Sequence, residues 1–278
     1  VLALDRDGKP VTTADLQVDG AMTAWLVEAV KPNLIQTMEG QPVLVHTGPF
    51  GNIALGQSSV IADRVGLKLS EAHVTESGFA AEMGYEKFWN LKCRYSGLTP
   101  DAAVLVATVR ALKYHGGAPQ LRPGQPLPEA YTHEDLALVE AGCVNLLHHL
   151  GIVRRSGVPA VVCLNRFHTD TQAELDTVRR ICEKAGARVA VSDHWARGGE
   201  GALELADAVL DRAALSAMLD AAGRTGDPLV EDIVVLQVFY ADVKIALRAA
   251  RTDRRSLFLE EALCPCGGMK PEEWIRAL

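Results

Sequence analysis

The run VATVRALKYHGG, Val106 to Gly117, sets Arg110, Lys113 and His115 directly after the apolar, β-branched stretch Ala102 to Ala107. In an open α/β sheet, ligands sit beyond the carboxyl ends of strands. Two fixed cations and a titratable imidazole at such an end suit an anionic substrate. They equally suit a solvated basic turn after a buried strand, and this segment alone leaves both readings open. HTGPFGNIALGQSS, His46 to Ser59, poses the same choice. A strand ends, a turn containing Gly48, Phe50 and Gly51 follows, and a helix begins near Asn52. Backbone N–H groups and the positive end of a helix offer themselves to an anion there. Glycines also serve ordinary tight turns. In Thr75 to Arg94, Ser77-Gly78 leads from a strand into a helix. Its Glu82, Glu86 and Lys87 either line a pocket or form a solvated face.

Two further strand ends carry aromatic rings. In CLNRFHTDTQAE, Cys163 to Glu174, Asn165-Arg166 closes a strand and Thr169-Asp170-Thr171 opens a helix. Glu174 follows Thr171 by three residues, the spacing of a capping box. Phe167 lies in the turn between, where it either packs under the loop or stacks on a flat ligand. In VSDHWARGGEGALELA, Val191 to Ala206, Trp195 precedes Gly198-Gly199-Glu200-Gly201 and a helix. Both rings follow consecutive strands of an expected parallel sheet, so they share one edge and can sandwich an aromatic heterocycle.

The elements that must position these groups alternate. Strands are expected at Pro42 to His46, Ala72 to Thr75, Ala102 to Ala107, Pro159 to Leu164 and Arg188 to Ser192. Most are continuous apolar runs, as in strands covered on both faces. Helices are expected at Ile53 to Leu69, Glu82 to Tyr95, His133 to Ser156, Thr171 to Ala185 and Gly201 to Ala221. This alternation implies an α/β fold with a doubly wound, mostly parallel sheet. Gly116 to Pro128, rich in Gly and Pro, reads as a long surface loop. The tail from about Arg224 reads as mainly helical and carries no recognisable chemistry.

A formal charge of −7 argues against a general nucleic-acid or membrane-surface binder while permitting a local basic pocket. No unbroken apolar run reaches the roughly 18 residues of a membrane span. No cationic segment is followed by an apolar one in the manner of a secretion signal. Most of the six cysteines lie in apolar stretches, which suits reduced core thiols in the cytoplasm. Cys264-Pro265-Cys266 lacks a second Cys/His pair, and His148-His149 sits in an apolar helical stretch, so no metal site is expected.

Taken in order, the five segments resemble the formate–tetrahydrofolate ligases from about Asp15 to Val209; VATVRALKYHGG, NRFHTDT and WARGGEG carry the likeness most specifically. The tail after about Leu210 does not resemble the family. The resemblance implies a fold of the P-loop NTPase-like class and a cytoplasmic ligase of one-carbon metabolism. Its reaction is ATP-dependent formylation of tetrahydrofolate, by way of formyl phosphate, to 10-formyltetrahydrofolate. It implies ATP with Mg as co-substrate, a monovalent cation, formate and tetrahydrofolate as small-molecule substrates, and a homo-oligomer at full length. Phe167 and Trp195 match the family's pterin-stacking pair. Arg110, Lys113 and His115 lie in its signature as candidate catalytic groups. Gly48, Phe50, Gly51, Asn52, Ser77, Gly78 and Asn165 match positions lining its cleft. Residues 1–156 then form the remainder of the catalytic α/β domain, 157–222 the folate-binding segment and 223–278 a helical tail. Three departures accompany the likeness. No G-x-x-x-x-G-K-[ST] run occurs, Leu55 stands where the family has His, and Gln57 stands where it has Cys. With Val1 in place of a starting Met, these point to a partial chain lacking the N-terminal phosphate loop. The alternative is a catalytically incomplete folate-binding or regulatory homologue.

Overall fold

The computed structural model describes residues 1–46 and 57–225. The expected positions Gly48, Phe50, Gly51 and Asn52, the substituted Leu55, and nearly all of the expected helical tail with its Cys264 and Cys266 lie outside the described residues. The chain forms two compact units, Val1–Phe79 and Ala80–Leu278.

The first unit is built from hairpins and two helices. Strands β1 (Ala3–Leu4) and β2 (Pro10–Val11) pair antiparallel. The Asp5 carboxylate closes their turn by accepting from the N–H groups of Asp7 and Lys9 at 2.9 and 2.8 Å. Helix α1 (Asp19–Leu26) follows, then β3 (Asn33–Gln36) and β4 (Pro42–Val45), again antiparallel. Gly40 sits at φ +86° in their turn, a backbone conformation that side chains with a Cβ resist. Helix α2 (Val60–Leu69) begins at Ser59, whose hydroxyl accepts from the Ala62 N–H at 3.0 Å. Two expectations are corrected here. The strand at Pro42 to His46 belongs to an antiparallel hairpin, not to the parallel sheet. Residues Ala72 to Thr75 form no strand. Among the described residues no strand pairs with them, and Val74 is exposed.

The second unit opens with a helical stretch over 81–96. It passes through two wide π-type segments, Ala81–Tyr85 and Phe88–Cys93, and ends in α3 (Arg94–Ser96). Next come β5 (Ala103–Ala107), α4 (Val109–His115), a 3₁₀ turn at Glu129–Tyr131 and α5 (Leu136–Arg154). Then follow β6 (Ala160–Asn165), α6 (Gln172–Lys184) and β7 (Arg188–Ser192). A short α7 (His194–Arg197), a 3₁₀ turn at Gly198–Ala202 and α8 (Leu203–Thr225) end its described part. The three strands form an all-parallel sheet in the order β5-β6-β7. That order follows the chain, so no reversal of winding occurs within these strands.

Side-chain alternation divides the sheet's two faces. Ala107, Val162, Leu164 and Val189 point into the main core with Val139, Cys143, Leu146 and Leu150 of α5 and Leu175, Val178 and Cys182 of α6. Val161 and Ala190 point the other way, onto Ala208 of α8. Helices therefore cover both faces, which explains the continuous apolar runs of β6 and β7. At 19 residues and a mean hydropathy of 1.6, α5 is apolar enough by length and composition to cross a membrane. Here it is the central core helix, with Val139, Cys143 and Leu150 essentially inaccessible.

Helices α4 and α5 cross at two glycines. A Cβ on Gly142 would collide with the Leu112 backbone, and one on Gly116 with the Leu138 carbonyl. Backbone cannot yield as a flexible side chain does, so Gly142→Ala is expected to cost about 1–3 kcal/mol in chemical denaturation. Gly151 lies on the same helix with open space around its Cα. Gly151→Ala should gain up to about 1 kcal/mol from helix propensity. Equal effects at the two sites would contradict the close crossing.

Candidate functional site

The carboxyl edge of the parallel sheet is where β5 turns into α4, β6 into the Phe167 turn and β7 into α7. Thr108 caps α4, its hydroxyl accepting from the Ala111 N–H at 3.1 Å. The segment that the sequence left open between an anion-facing strand end and a basic turn is a helix, and the helix sends its three basic groups to different places.

Lys113 requires a correction. It is 1% exposed, and its ammonium lies 2.6 Å from Glu174 Oε1 and donates to the His133 carbonyl at 2.6 Å. Its charge is already neutralised in the core, so it does not face a solvent-borne anion. His115 is exposed at the far end of α4, edge-on to Tyr114 with ring centroids 5.5 Å apart. At the helical rise it lies about 7 Å along the axis from Arg110. Arg110, in the first turn, reaches across to the Phe167 turn. Its guanidinium carbon stands 4.3 Å from the Phe167 ring centroid, and Nη2 donates to Thr169 Oγ1 at 3.3 Å. The structure does not bring the three groups together on one ligand.

Glu174, seen in the sequence only as a capping partner, is the centre of the arrangement. Its Oε2 accepts the Thr171 N–H at 3.1 Å, while the Thr171 hydroxyl accepts the Glu174 N–H at 3.3 Å, completing the capping box. Its Oε1 accepts the Asp135 N–H at 3.0 Å, just where Asp135 caps α5 through the Leu138 N–H at 2.9 Å. Burial alone would raise this carboxyl. The hydrogen bonds from Lys113, Thr171 and Asp135, with the Lys113 charge, outweigh burial and leave it below its ordinary value. Asp170 moves the other way. Burial raises it, the Phe167 N–H opposes that by donating to Oδ2 at 2.8 Å, and Glu174 adds to the rise against Arg110 and Lys113.

These contacts fix the turn that carries Phe167. Its ring is half-buried, with Arg110 on one side. Asn165, at the end of β6, pairs in register with Ser192 at the end of β7, and the Arg166 N–H donates to the Ser192 carbonyl at 3.0 Å. Phe167 is two residues beyond that pair and Trp195 three. Trp195 rides the single turn α7, closed by a bond from the Asp193 N–H to the Gly201 carbonyl at 2.9 Å. The approach is close enough that a Cβ on Gly201 would collide with the Asp193 backbone. The indole is nevertheless 90% exposed. Ser77 and Gly78 lie in the first unit, where the Ser77 hydroxyl accepts from the Gln57 amide at 2.7 Å. Glu82 Oε2 stands 3.1 Å from His149 Nδ1, a contact within the second unit.

Replacing Glu174 by Gln leaves the Lys113 charge buried without its counter-ion, and is expected to cost about 3–5 kcal/mol at pH 7. Because the folded carboxyl lies below its ordinary value of about 4.3, its stabilisation is full above that pH and is lost as pH falls through the folded value. Denaturation below pH 4 should therefore be steeper in the native chain than in Glu174→Gln. A cost under about 1 kcal/mol, or parallel acid limbs, would contradict this placement.

Known proteins share this sequence over most of its length. A family model described as formate–tetrahydrofolate ligase matches residues 1–254. The family match runs past Leu210 as far as residue 254, into part of the tail that the sequence left outside the likeness. A formate–tetrahydrofolate ligase of Desulfovibrio desulfuricans is 83% identical over 211 residues, covering 76% of this chain and 36% of the relative. One from Lawsonia intracellularis is 68% identical and one from Dehalococcoides mccartyi 64%, each over 76% of this chain. The chain thus spans 36% of the length of the first two relatives and 35% of the third. With the family model covering most of its residues, the chain belongs to the formate–tetrahydrofolate ligase family.

Proposed function

We propose that this chain supplies the folate-binding part of an ATP-dependent formate–tetrahydrofolate ligase, which makes 10-formyltetrahydrofolate by way of formyl phosphate. The observation that carries this reading is Trp195. A large ring 90% exposed, on a turn tied down by backbone hydrogen bonds, is held out at a cost in hydration that a stacked ligand relieves. Phe167 leaves the neighbouring parallel strand at the same edge. The two rings hold the pterin, and the segment 157–222 is the folate-binding one. Asn165 ends the strand beneath them.

The chain's own part in the chemistry is positioning. Stacking fixes the pterin so that N10 meets the formyl donor in one orientation. Lys113, Asp170 and Glu174 act by fixing the Phe167 turn, and His115 remains available to solvent. The fold is assigned to the P-loop NTPase-like class, in keeping with a parallel sheet covered on both faces. ATP with Mg is the co-substrate, with a monovalent cation as activator and a homo-oligomer as the full-length state. Among the described residues no three His, Cys, Asp or Glu side chains are arranged to hold a metal ion. No G-x-x-x-x-G-K-[ST] run occurs in the sequence. A cytoplasmic setting accords with Cys143 and Cys163, buried thiols that burial raises, Cys143 to about 11.

Calorimetric titration with tetrahydrofolate tests the reading. Trp195→Ala and Phe167→Ala are each expected to weaken binding at least about 2- to 10-fold, the equivalent of about 0.5–1.5 kcal/mol per ring contact, with the circular dichroism unchanged. Native affinity in both variants would overturn it.

A further inference from the structure

We infer that Arg110 is a positioning residue that makes the Phe167 ring a one-sided stacking platform, a role that rests on the folate-binding reading of that ring. The guanidinium carbon lies 4.3 Å from the ring centroid, within the range in which a cation is drawn to the negative face of an aromatic ring. At that distance it occupies the face, and a flat heterocycle can stack only on the opposite one. The arrangement is built from both sides. Arg110 is held by its bond to Thr169 Oγ1 at 3.3 Å, and Thr169 belongs to the same turn as the ring. The backbone of Phe167 is held by Asp170 Oδ2 at 2.8 Å. Helix α4, which carries Arg110, is itself pinned through Lys113 to Glu174 and the His133 carbonyl.

Arg110 also gives up a polar partner to be there. Its Nε is buried without a hydrogen-bond partner among the described residues. A guanidinium placed for hydrogen bonding alone would satisfy that N–H. One placed for the contact of its plane with a ring tolerates the loss. Nη2 is tied to Thr169, so the plane cannot swing freely toward solvent. Arg110 thus sets the tilt of the ring and excludes ligand and water from its rear face, without itself touching the reacting atoms. Lysine, a compact ammonium on a flexible stem, cannot reproduce the planar contact.

A double-mutant cycle on the 278-residue chain tests this, with tetrahydrofolate as the probe and calorimetric affinity as the readout. Arg110→Met keeps the length and apolar bulk of the side chain and removes the planar cation. It should weaken binding roughly three- to ten-fold in the native background, and Arg110→Lys should not restore it. In the Phe167→Ala background the same change should have almost no effect, because Arg110 acts only through the ring. In the Trp195→Ala background the loss should persist in full. Thermal unfolding of each variant separates a lost fold from a lost contact. If Phe167→Ala leaves affinity untouched, the folate-binding reading of the ring falls and this role falls with it. If Phe167→Ala weakens binding and Arg110→Met weakens it further by the same factor, the ring role stands. Arg110 is then an independent ligand contact and the positioning role is overturned.

Discussion

A single buried ion pair, Lys113 with Glu174, ties helix α4 to the N-termini of α5 and α6 at the carboxyl edge of the sheet. Both side chains are almost completely inaccessible, and the separation is 2.6 Å. Removing two charges from water is expensive, and mutual attraction alone seldom compensates. Here the carboxylate collects two backbone N–H groups besides the ammonium, and the ammonium collects a carbonyl. The outcome is legible in the direction of the Glu174 shift: its charged form is favoured despite burial. Each partner also belongs to a different element. Lys113 lies on α4, while Glu174 reaches the N-termini of both α5 and α6. The pair works as a registry pin, more than as a simple source of stability.

What this pin positions is a turn of few residues. Once α6 begins at Gln172 and α4 cannot slide, the chain from Asn165 to Thr171 has little freedom. Asp170 accepts the Phe167 N–H from beneath, at the expense of a carboxyl that burial raises. The neighbouring turn needs no such device. It is short enough that the close approach of Gly201 to the Asp193 backbone and one backbone hydrogen bond close it. Two rings on adjacent connections are thus presented by different means, one by buried electrostatics and one by backbone packing. Phe167 is backed by a guanidinium and half-buried, whereas Trp195 is left bare.

Much of this is legible in the residues. Strands β5, β6 and β7 fall within a residue of the apolar runs that predict them; for β6 and β7 the reason is cover on both faces, which leaves an uninterrupted hydrophobic stretch. The Thr171–Glu174 capping box is visible because its partners are three residues apart. Phe167 and Trp195 stand out as large rings in turns. Long-range information is hidden. Nothing local to Lys113 announces that its counter-ion lies on α6, so a buried cation reads as an anion-facing one. Helix α4 is not foreseen, its residues reading as an anion-facing strand end or a basic turn, although Thr108 supplies a cap, Val109 and Leu112 a buried stripe, and Gly116 a stop. The stretch Ala72 to Thr75 has the composition of a strand but no partner strand among the described residues, and composition cannot supply one.

Family membership rests on a match along most of the chain, while the site rests on two rings and the contacts that aim them. The proposed meeting point of the two is a pterin. A crystal structure of the chain with tetrahydrofolate is the most direct test of that site. The pterin is expected against the face of Phe167 opposite Arg110, with the Trp195 indole closed over it and the Lys113–Glu174 pair unbroken. Tetrahydrofolate bound elsewhere with the Trp195 indole still bare, or a pterin seated between Arg110 and Phe167, would contradict it.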